Sequence, residues 1–147
     1  MKPDHIILHH SLTKDGDTVS WQAIGRYHTE TLGWIAIGYQ LGLEILNGNY
    51  EILMGRMLDQ IGAHCSQEGM NRRSIGICCV GNFDEAGQVE TFENRGGLML
   101  LARLVRSLMS IFSIPEANVL PHRHFATYKT CPGEMFPMNK LKSMISV

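Results

Sequence analysis

The sequence predicts an α/β fold: a single domain in which a central mixed β-sheet is flanked by helices. The chain has 147 residues, a length that fits one domain, and this domain is expected to span residues 1–147. Apolar residues make up 44% of the chain and charged residues 18%, which is the composition of a globular protein. Segments with the period of a strand alternate along the chain with segments that have the period of a helix, and this order is typical of α/β domains.

Several segments have the alternation or the short apolar runs that are typical of strands. They are residues 5–10, 37–46, 50–54, 74–80 and 118–122. In the first of them, side chains 5, 7 and 9 share one face of the strand and side chains 6, 8 and 10 share the other, so His9 and His10 point apart. Asn47-Gly48 separates the second and third segments, and this dipeptide predicts a tight hairpin turn.

Other segments have the apolar stripe of a helix. Ser20 can cap a short first helix that ends near Gly33. Its stripe consists of Trp21, Ile24 and either Tyr27 or His28. The stripe of a longer helix consists of Leu98, Leu101, Leu104 or Val105, Leu108 and Phe112. Arg103 and Arg106 lie on the opposite side of that helix, so it is expected to pack on the sheet. A short terminal helix is expected around residues 140–145.

The charge and hydropathy of the chain argue against two classes of partner. Thirteen basic and fourteen acidic side chains give a formal net charge of −1, without the basic excess of a protein whose main partner is nucleic acid. No apolar stretch approaches the roughly 20 residues of a membrane helix, so no membrane association is expected. The first residues lack the apolar core region of a signal peptide, and the protein is therefore expected to be cytoplasmic at synthesis.

The four cysteines are not expected to form a disulfide framework, because a chain of this length in a reducing compartment does not depend on one. Cys78 and Cys79 lie in an apolar run and are interpreted as small buried side chains of a strand. Cys131 differs, because the turn-rich segment Lys129-Thr130-Cys131-Pro132-Gly133 would let its thiolate reach a ligand or a metal.

Two histidines and this cysteine form a candidate metal site. His9 ends the first predicted strand, His122 ends a late one, and Cys131 follows in a loop. Strand ends converge at one edge of a sheet, and imidazole and thiolate donors suit tetrahedral Zn²⁺. Three protein ligands would leave a fourth position for an activated water. The spacing contains no short zinc signature, so on spacing alone the alternative of ordinary structural histidines remains open.

The motifs of the chain resemble those of a known family. They are Ile6-Ile7-Leu8-His9-His10-Ser11-Leu12-Thr13, Gly33-Trp34 with Ile37-Gly38-Tyr39, Gly55-Arg56, Gly62-Ala63-His64, Asn71 with Ser74-Ile75-Gly76-Ile77 and Val80-Gly81, and His122-Arg123 with Lys129-Thr130-Cys131-Pro132-Gly133. In this order, over about residues 5–142, they are similar to the zinc-dependent N-acetylmuramoyl-L-alanine amidases of type 2, a family that includes phage amidase-type lysozymes and peptidoglycan recognition proteins.

The resemblance implies one Zn²⁺ per chain held by His9, His122 and Cys131. It implies catalytic roles for Tyr39, which would position the water and shuttle its proton, and for Lys129, whose ammonium would stabilise the oxyanion. It also implies hydrolysis of the amide bond between N-acetylmuramic acid and L-alanine in peptidoglycan. His64 matches a position that lines the substrate groove. Trp34, in contrast, is expected to pack between helix and sheet.

Three positions depart from the family pattern. Gln40 stands where the family often has histidine, so a polar contact on the substrate side is expected to differ. His10 lies beside His9, and strand alternation allows only one of them into the site. His124 competes with His122 as the second ligand, and the family pair His-Arg favours His122.

Several functions compatible with the resemblance remain to be distinguished. The leading one is a phage or prophage endolysin that degrades the bacterial cell wall after release by a holin-like partner. The alternatives are a cytoplasmic muropeptide-recycling amidase and a peptidoglycan-binding module without catalysis. A thiol hydrolase with Cys131 as nucleophile is a third, but Pro132 and the lack of an evident helix N-terminus give the thiol no activating context.

Overall fold

The computed structural model describes residues 1–13 and 21–146. The strands are β1 (His5–His10), β2 (Leu41–Leu46), β3 (Asn49–Met54), β4 (Ser74–Cys79) and β5 (Val119–Pro121). The helices are α1 (Trp21–Arg26), α2 (Ala86–Asn94), α3 (Gly97–Phe112) and α4 (Met138–Ile145). Shorter helical turns are a π-helical turn at Tyr27–Thr31 and 3₁₀ turns at Gln67–Arg72, Glu116–Asn118 and His122–His124.

The strands form one mixed sheet in the order β3-β2-β4-β1-β5. β1 runs parallel to both β4 and β5, β2 runs parallel to β4, and β3 is antiparallel to β2. Asn47 and Gly48 both have positive φ, at 53° and 85°, as the tight hairpin between β2 and β3 requires. The predicted α/β fold with a mixed sheet and the predicted hairpin are confirmed.

The two faces of the sheet have different environments. On one face, Ile6 and Leu8 of β1 pair in register with Ile75 and Ile77 of β4, and all four belong to the main core. This core is closed by the apolar stripe of α3, whose buried residues are Gly97, Leu98, Leu101, Ala102, Val105 and Leu108. On the other face, His5, Ile7 and His9 pair with Ser74, Gly76 and Cys78. His5, His9 and Ser74 therefore lie on the face away from α3, whereas His10 lies on the same face as Ile6 and Leu8.

The structure shortens or shifts several predicted elements. The strand predicted from residue 37 begins only at Leu41. The segment before it makes most of its hydrogen bonds to residues outside the strands, as in the bond from Ala63 N–H to the carbonyl of Gly38 at 2.9 Å. The predicted cap Ser20 lies outside the described residues. α2 was not predicted, and its only buried side chain is Phe92, so it has no apolar stripe. Among the described residues, no helix is long and apolar enough to cross a bilayer.

Candidate metal centre and active site

Three elements bring His9, His122 and Cys131 together. His9 lies near the carboxyl end of β1, and His122 directly follows β5, which is the parallel neighbour of β1. The turn that contains Cys131 folds back towards His122, and the carbonyl of Cys131 accepts a hydrogen bond from Arg123 N–H at 2.8 Å. As a result, one possible ligand atom from each residue lies within 4.8 Å of the others. His9 Nδ1 is 3.7 Å from Cys131 Sγ, and the two imidazole centroids are 4.5 Å apart.

The chemistry of this cluster fits a zinc ion. Both histidines are buried, and His122 Nε2 has no hydrogen-bond partner among the described residues, which is costly for a buried polar atom unless it has a ligand. Burial lowers the pKa of His122 to about 4 and that of His9 well below its usual value. Both imidazoles are therefore neutral near neutral pH, the form that binds a metal.

Cys131 supplies the third donor of the same cluster. Burial raises the pKa of its thiol to about 11, so without a metal the group is a thiol and not a reactive thiolate. A soft cation would displace that proton on binding. The remaining cysteines are also free thiols, as predicted, and Cys65, Cys78 and Cys79 are buried.

The structure separates each histidine of the candidate cluster from its neighbour in sequence. His10 points to the other side of β1, where its Nδ1 accepts a hydrogen bond from Phe83 N–H at 3.2 Å. His124 is exposed and its ring contacts Phe125 at a centroid distance of 4.9 Å. Neither of them belongs to the cluster.

Tyr39 lies directly before β2 and beside the candidate metal ligands. Its ring centroid is 5.1 Å from that of His9 and 6.1 Å from that of Trp21. Burial raises the pKa of the Tyr39 phenol well above its usual value, and nearby thiol groups raise it further. The hydroxyl is therefore a neutral donor and acceptor at neutral pH.

Lys129 is exposed at the rim of the same cleft. Its ammonium lies 5.9 Å from the centroid of the Tyr128 ring. Burial is the main cause of the lowered pKa values of His9 and His122, and the positive charge of Lys129 lowers them further. The exposed position leaves the ammonium free to meet a substrate.

The candidate metal ligands, Tyr39 and Lys129 all line one open cleft with a volume of about 510 Å³. Its lining residues include His9, His28, Trp34, Tyr39, His64, His122, Lys129 and Cys131. A neighbouring depression of about 310 Å³ shares His28 and Tyr39 with it. The cleft is therefore a groove with aromatic walls and the candidate metal ligands among its lining.

His64 lines the cleft, whereas Gln40 does not. His64 borders the cleft but is buried, and its ring nitrogens contact His9 and Ser74, at 2.9 Å and 3.4 Å. Gln40 is fully buried and uses its amide on the backbone, accepting from Gly76 N–H and donating to the Gln60 carbonyl. The expectation that Gln40 alters a contact on the substrate side is therefore wrong, because its amide is occupied inside the fold.

Trp34 and His28 form a wall of the cleft that sequence analysis did not identify. Trp34 is 36% exposed, so the expectation that it packs between helix and sheet is wrong. The ring of His28 stacks 4.6 Å from that of Trp34, and its Nδ1 accepts a hydrogen bond from Gly38 N–H at 3.0 Å. The bond fixes the residue before Tyr39. The helical stripe placed His28 among candidate core residues and gave no sign of this contact.

Arg56 was noted only as part of a motif and has a clear structural role. Its guanidinium donates to the carbonyl of Ile37 at 2.9 Å and to that of Ile61 at 2.7 Å. It therefore connects the segment that leads to Tyr39 with the segment that leads to His64. Burial lowers the pKa of Arg56, but an arginine stays charged at neutral pH.

Comparison with known proteins decides the family of this chain. Residues 1–134 match the N-acetylmuramoyl-L-alanine amidase family. The chain belongs to this family. The endolysin of Escherichia phage T7 is 30% identical over 130 residues, which cover 88% of this chain and 80% of that protein. Peptidoglycan-recognition protein SC2 of Drosophila melanogaster is 32% identical over 85 residues, 54% of this chain and 44% of that protein.

Solved structures agree with this assignment. The endolysin LysCS from Clostridium intestinale URNW, an N-acetylmuramoyl-L-alanine amidase, has a TM-score of 0.79 and 28% identity. The match covers 99% of this chain and 85% of that one. Drosophila PGRP-LB, at 24% identity and a TM-score of 0.69, shares the fold over 94% of this chain and 80% of that one. The predicted family, fold and enzyme class, a peptidoglycan amidase related to phage endolysins, are confirmed.

Proposed function

We propose that this amidase cleaves the bond between the lactyl group of N-acetylmuramic acid and L-alanine with one Zn²⁺ held by His9, His122 and Cys131. The observation that carries the proposal is the cluster of three donor atoms within 4.8 Å at the cleft. The buried, unbonded Nε2 of His122 supports it, because a metal would satisfy that atom. The names of the relatives supply the substrate class.

An amide carbonyl is a poor electrophile, so its hydrolysis requires both a polarised carbonyl and an activated water. A zinc ion, when bound, would polarise the carbonyl and activate a water at neutral pH. Two neutral imidazoles and one thiolate would leave the centre with a single positive charge. The remaining work, which is proton transfer and stabilisation of the oxyanion, belongs to side chains around the cluster.

Tyr39 is suited to the proton transfer. Its phenol is protonated at neutral pH, burial raises its pKa further above the usual value, and its ring lies beside His9. A hydroxyl of this kind accepts a hydrogen bond from a water and donates one to the nitrogen of the leaving amine. Tyr39 would therefore orient the water and pass a proton towards the amine.

Lys129 is suited to the stabilisation of negative charge. Its ammonium stands at the rim of the cleft, close enough to the cluster to influence the pKa of both histidines. An ammonium placed in advance gains most when negative charge develops on the carbonyl oxygen. Lys129 would therefore act mainly in the transition state.

The site of action follows from the substrate. The endolysins of phages T7 and T3 are 30% identical to 88% and 87% of this chain, which supports a phage or prophage origin and action on the cell wall. In this proposal the protein is made in the cytoplasm and reaches peptidoglycan after release through a holin-like partner.

Two measurements on the purified protein test the proposal. Metal analysis should find about one zinc per chain, and mass spectrometry of digested peptidoglycan should find stem peptides with a free L-alanine amine. Cys131→Ser should remove both zinc and activity, while the matched variant Cys65→Ser, a buried thiol outside the cluster, should keep both. Full turnover after complete removal of metal would refute the proposal. Binding of peptidoglycan without cleavage would support the non-catalytic alternative.

A further inference from the structure

A chain of hydrogen bonds leads from a backbone carbonyl to the candidate metal ligand His9. Ser74 Oγ donates to the carbonyl of Met70 at 2.7 Å. Ser74 Oγ is also 3.4 Å from His64 Nε2, and His64 Nδ1 is 2.9 Å from His9 Nε2. Ser74 is fully buried and His64 is 8% exposed, so the chain is largely shielded from water.

The direction of every bond in this chain follows from its first member. A carbonyl can only accept, so the single proton of the Ser74 hydroxyl is committed to Met70. Ser74 Oγ then presents a lone pair to His64, whose Nε2 must carry the proton. In a neutral imidazole this leaves Nδ1 of His64 as an acceptor, and the nitrogen that donates to it is Nε2 of His9.

The consequence falls on the other nitrogen of His9. With Nε2 protonated, Nδ1 of the neutral ring is a lone pair, and this atom is the one that lies 3.7 Å from Cys131 Sγ. The opposite tautomer of His9 would point a proton at the ligand cluster. The arrangement therefore selects the form of His9 that can bind a cation.

The ring of His64 fits in its place because residues 62 and 76 are glycines, which have no side chain. A Cβ on Gly76 would lie 2.6 Å from Cδ2 and Cγ of that ring, and a Cβ on Gly62 would lie 2.6 Å from its Cδ2. The ring thus lies directly on the backbone of β4, next to the strand that carries His9. The planes of the two imidazoles are at 88°, with the edge of one meeting the other. These glycines allow the His64 ring to approach the backbone closely.

We propose that His64 is a positioning residue for His9: with Ser74 it fixes the tautomer and the orientation of His9, and so prepares the site for zinc. This inference rests on the proposed zinc site and gives His64, which also lines the cleft, a role behind a ligand. Such outer partners of a metal-bound histidine typically contribute about 10–100-fold to metal affinity.

The first experiment needs neither zinc nor activity. In metal-free wild-type protein, ¹⁵N NMR of the imidazoles should show both His9 and His64 protonated at Nε2. In His64→Phe, which keeps a flat ring but removes the acceptor, the His9 ring should show a mixture of tautomers. A wild-type His9 with its proton on Nδ1 would overturn the inference, whatever the enzyme does.

The second experiment measures zinc affinity by competition with a chromophoric chelator. His64→Phe should bind zinc about 10–100-fold more weakly than wild type. His64→Asn, whose side-chain oxygen can take the place of Nδ1, should recover part of that loss. Ser74→Ala should weaken binding by a smaller factor, and His124→Phe, an exposed histidine outside the cluster, should bind like wild type.

The outcomes separate this inference from the proposed function. If wild type binds one zinc but neither His64→Phe nor Ser74→Ala changes the affinity, the positioning role is refuted while the metal site stands. If wild type binds no zinc, the proposed metal site is refuted, and the tautomer measurement still decides whether the chain of hydrogen bonds orients His9. Urea unfolding of each variant shows whether a lost affinity comes with a lost fold, and Ser74→Ala serves where His64→Phe does not fold.

Discussion

His9 and His10 are neighbours in β1, and alanine substitution should affect them in opposite ways. A ligand that binds only the folded protein stabilises it by about 2.7 kcal/mol when its free concentration is 100 times Kd. Zinc should therefore raise the free energy of unfolding of the wild-type protein by about this amount. His9→Ala removes a donor atom of the cluster and should lose the increment.

His10→Ala should keep the zinc increment and lose stability instead. Its Nδ1 accepts a hydrogen bond from the buried backbone N–H of Phe83 at 3.2 Å. Leaving that N–H without a partner costs about 1–3 kcal/mol, with zinc or without it. The variant should thus be less stable than wild type by a constant amount.

The assay is urea unfolding of wild type and both variants, each in excess chelator and in buffered free zinc. The difference between the two conditions gives the increment, and the value in chelator gives the stability of the fold alone. Loss of the increment in both variants would show that the assignment of the two faces of β1 is wrong. Loss in His10→Ala only would exchange the roles of the two histidines.

Three further predictions concern Lys129, the pair His122 and His124, and His28. Lys129→Ala should keep zinc and lower kcat by about 100- to 1000-fold with little change in KM. Lys129→Arg should recover only part of the rate, since lysine and arginine differ in shape. An unchanged kcat in the alanine variant would refute the role of Lys129 in stabilising the oxyanion. His122→Ala should lose zinc measured by metal analysis whereas His124→Ala should not, and equal loss would contradict the chosen ligand. Burial lowers the pKa of His28 in the folded protein. As the pH decreases below about 6.5, the usual histidine pKa, His28 is protonated in the unfolded chain before it is protonated in the folded one, so the free energy of unfolding decreases as the pH decreases. His28→Asn keeps an acceptor for Gly38 N–H and should flatten that fall between about pH 7 and 5 in metal-free urea unfolding, and identical slopes would contradict this reasoning.

Sequence patterns predict the elements that carry a clear apolar signal. β1 contains a short apolar run that is buried on both faces, and α3 has a continuous apolar stripe, so the structure places both where the pattern does. α2 buries only Phe92, so no stripe marks it. The segment before Leu41 alternates as a strand does but makes most of its hydrogen bonds to residues outside the strands, and hydrophobic alternation does not encode that choice of partner.

The candidate site divides in the same way. His9 and His122 could be predicted because strand order and motif spacing place them at strand ends. The contacts of His64 could not, because they depend on the absence of a side chain at Gly62, in a loop, and at Gly76, in β4. Trp34 was assigned to the interior because large aromatic residues usually are, and only the tertiary path of its loop exposes it.

Arg56 has a consequence for how this cleft could diversify. Its bonds to the 37 and 61 positions reach main-chain oxygens, which every amino acid has. The spacing between the two segments is thus independent of the side chains that the segments carry. Ile35, which is 93% exposed, and Ile61, which is 43% exposed, can therefore be exchanged without moving Tyr39 or His64. Recognition of different peptidoglycans could evolve at exposed positions of these two segments while the reaction centre stays fixed.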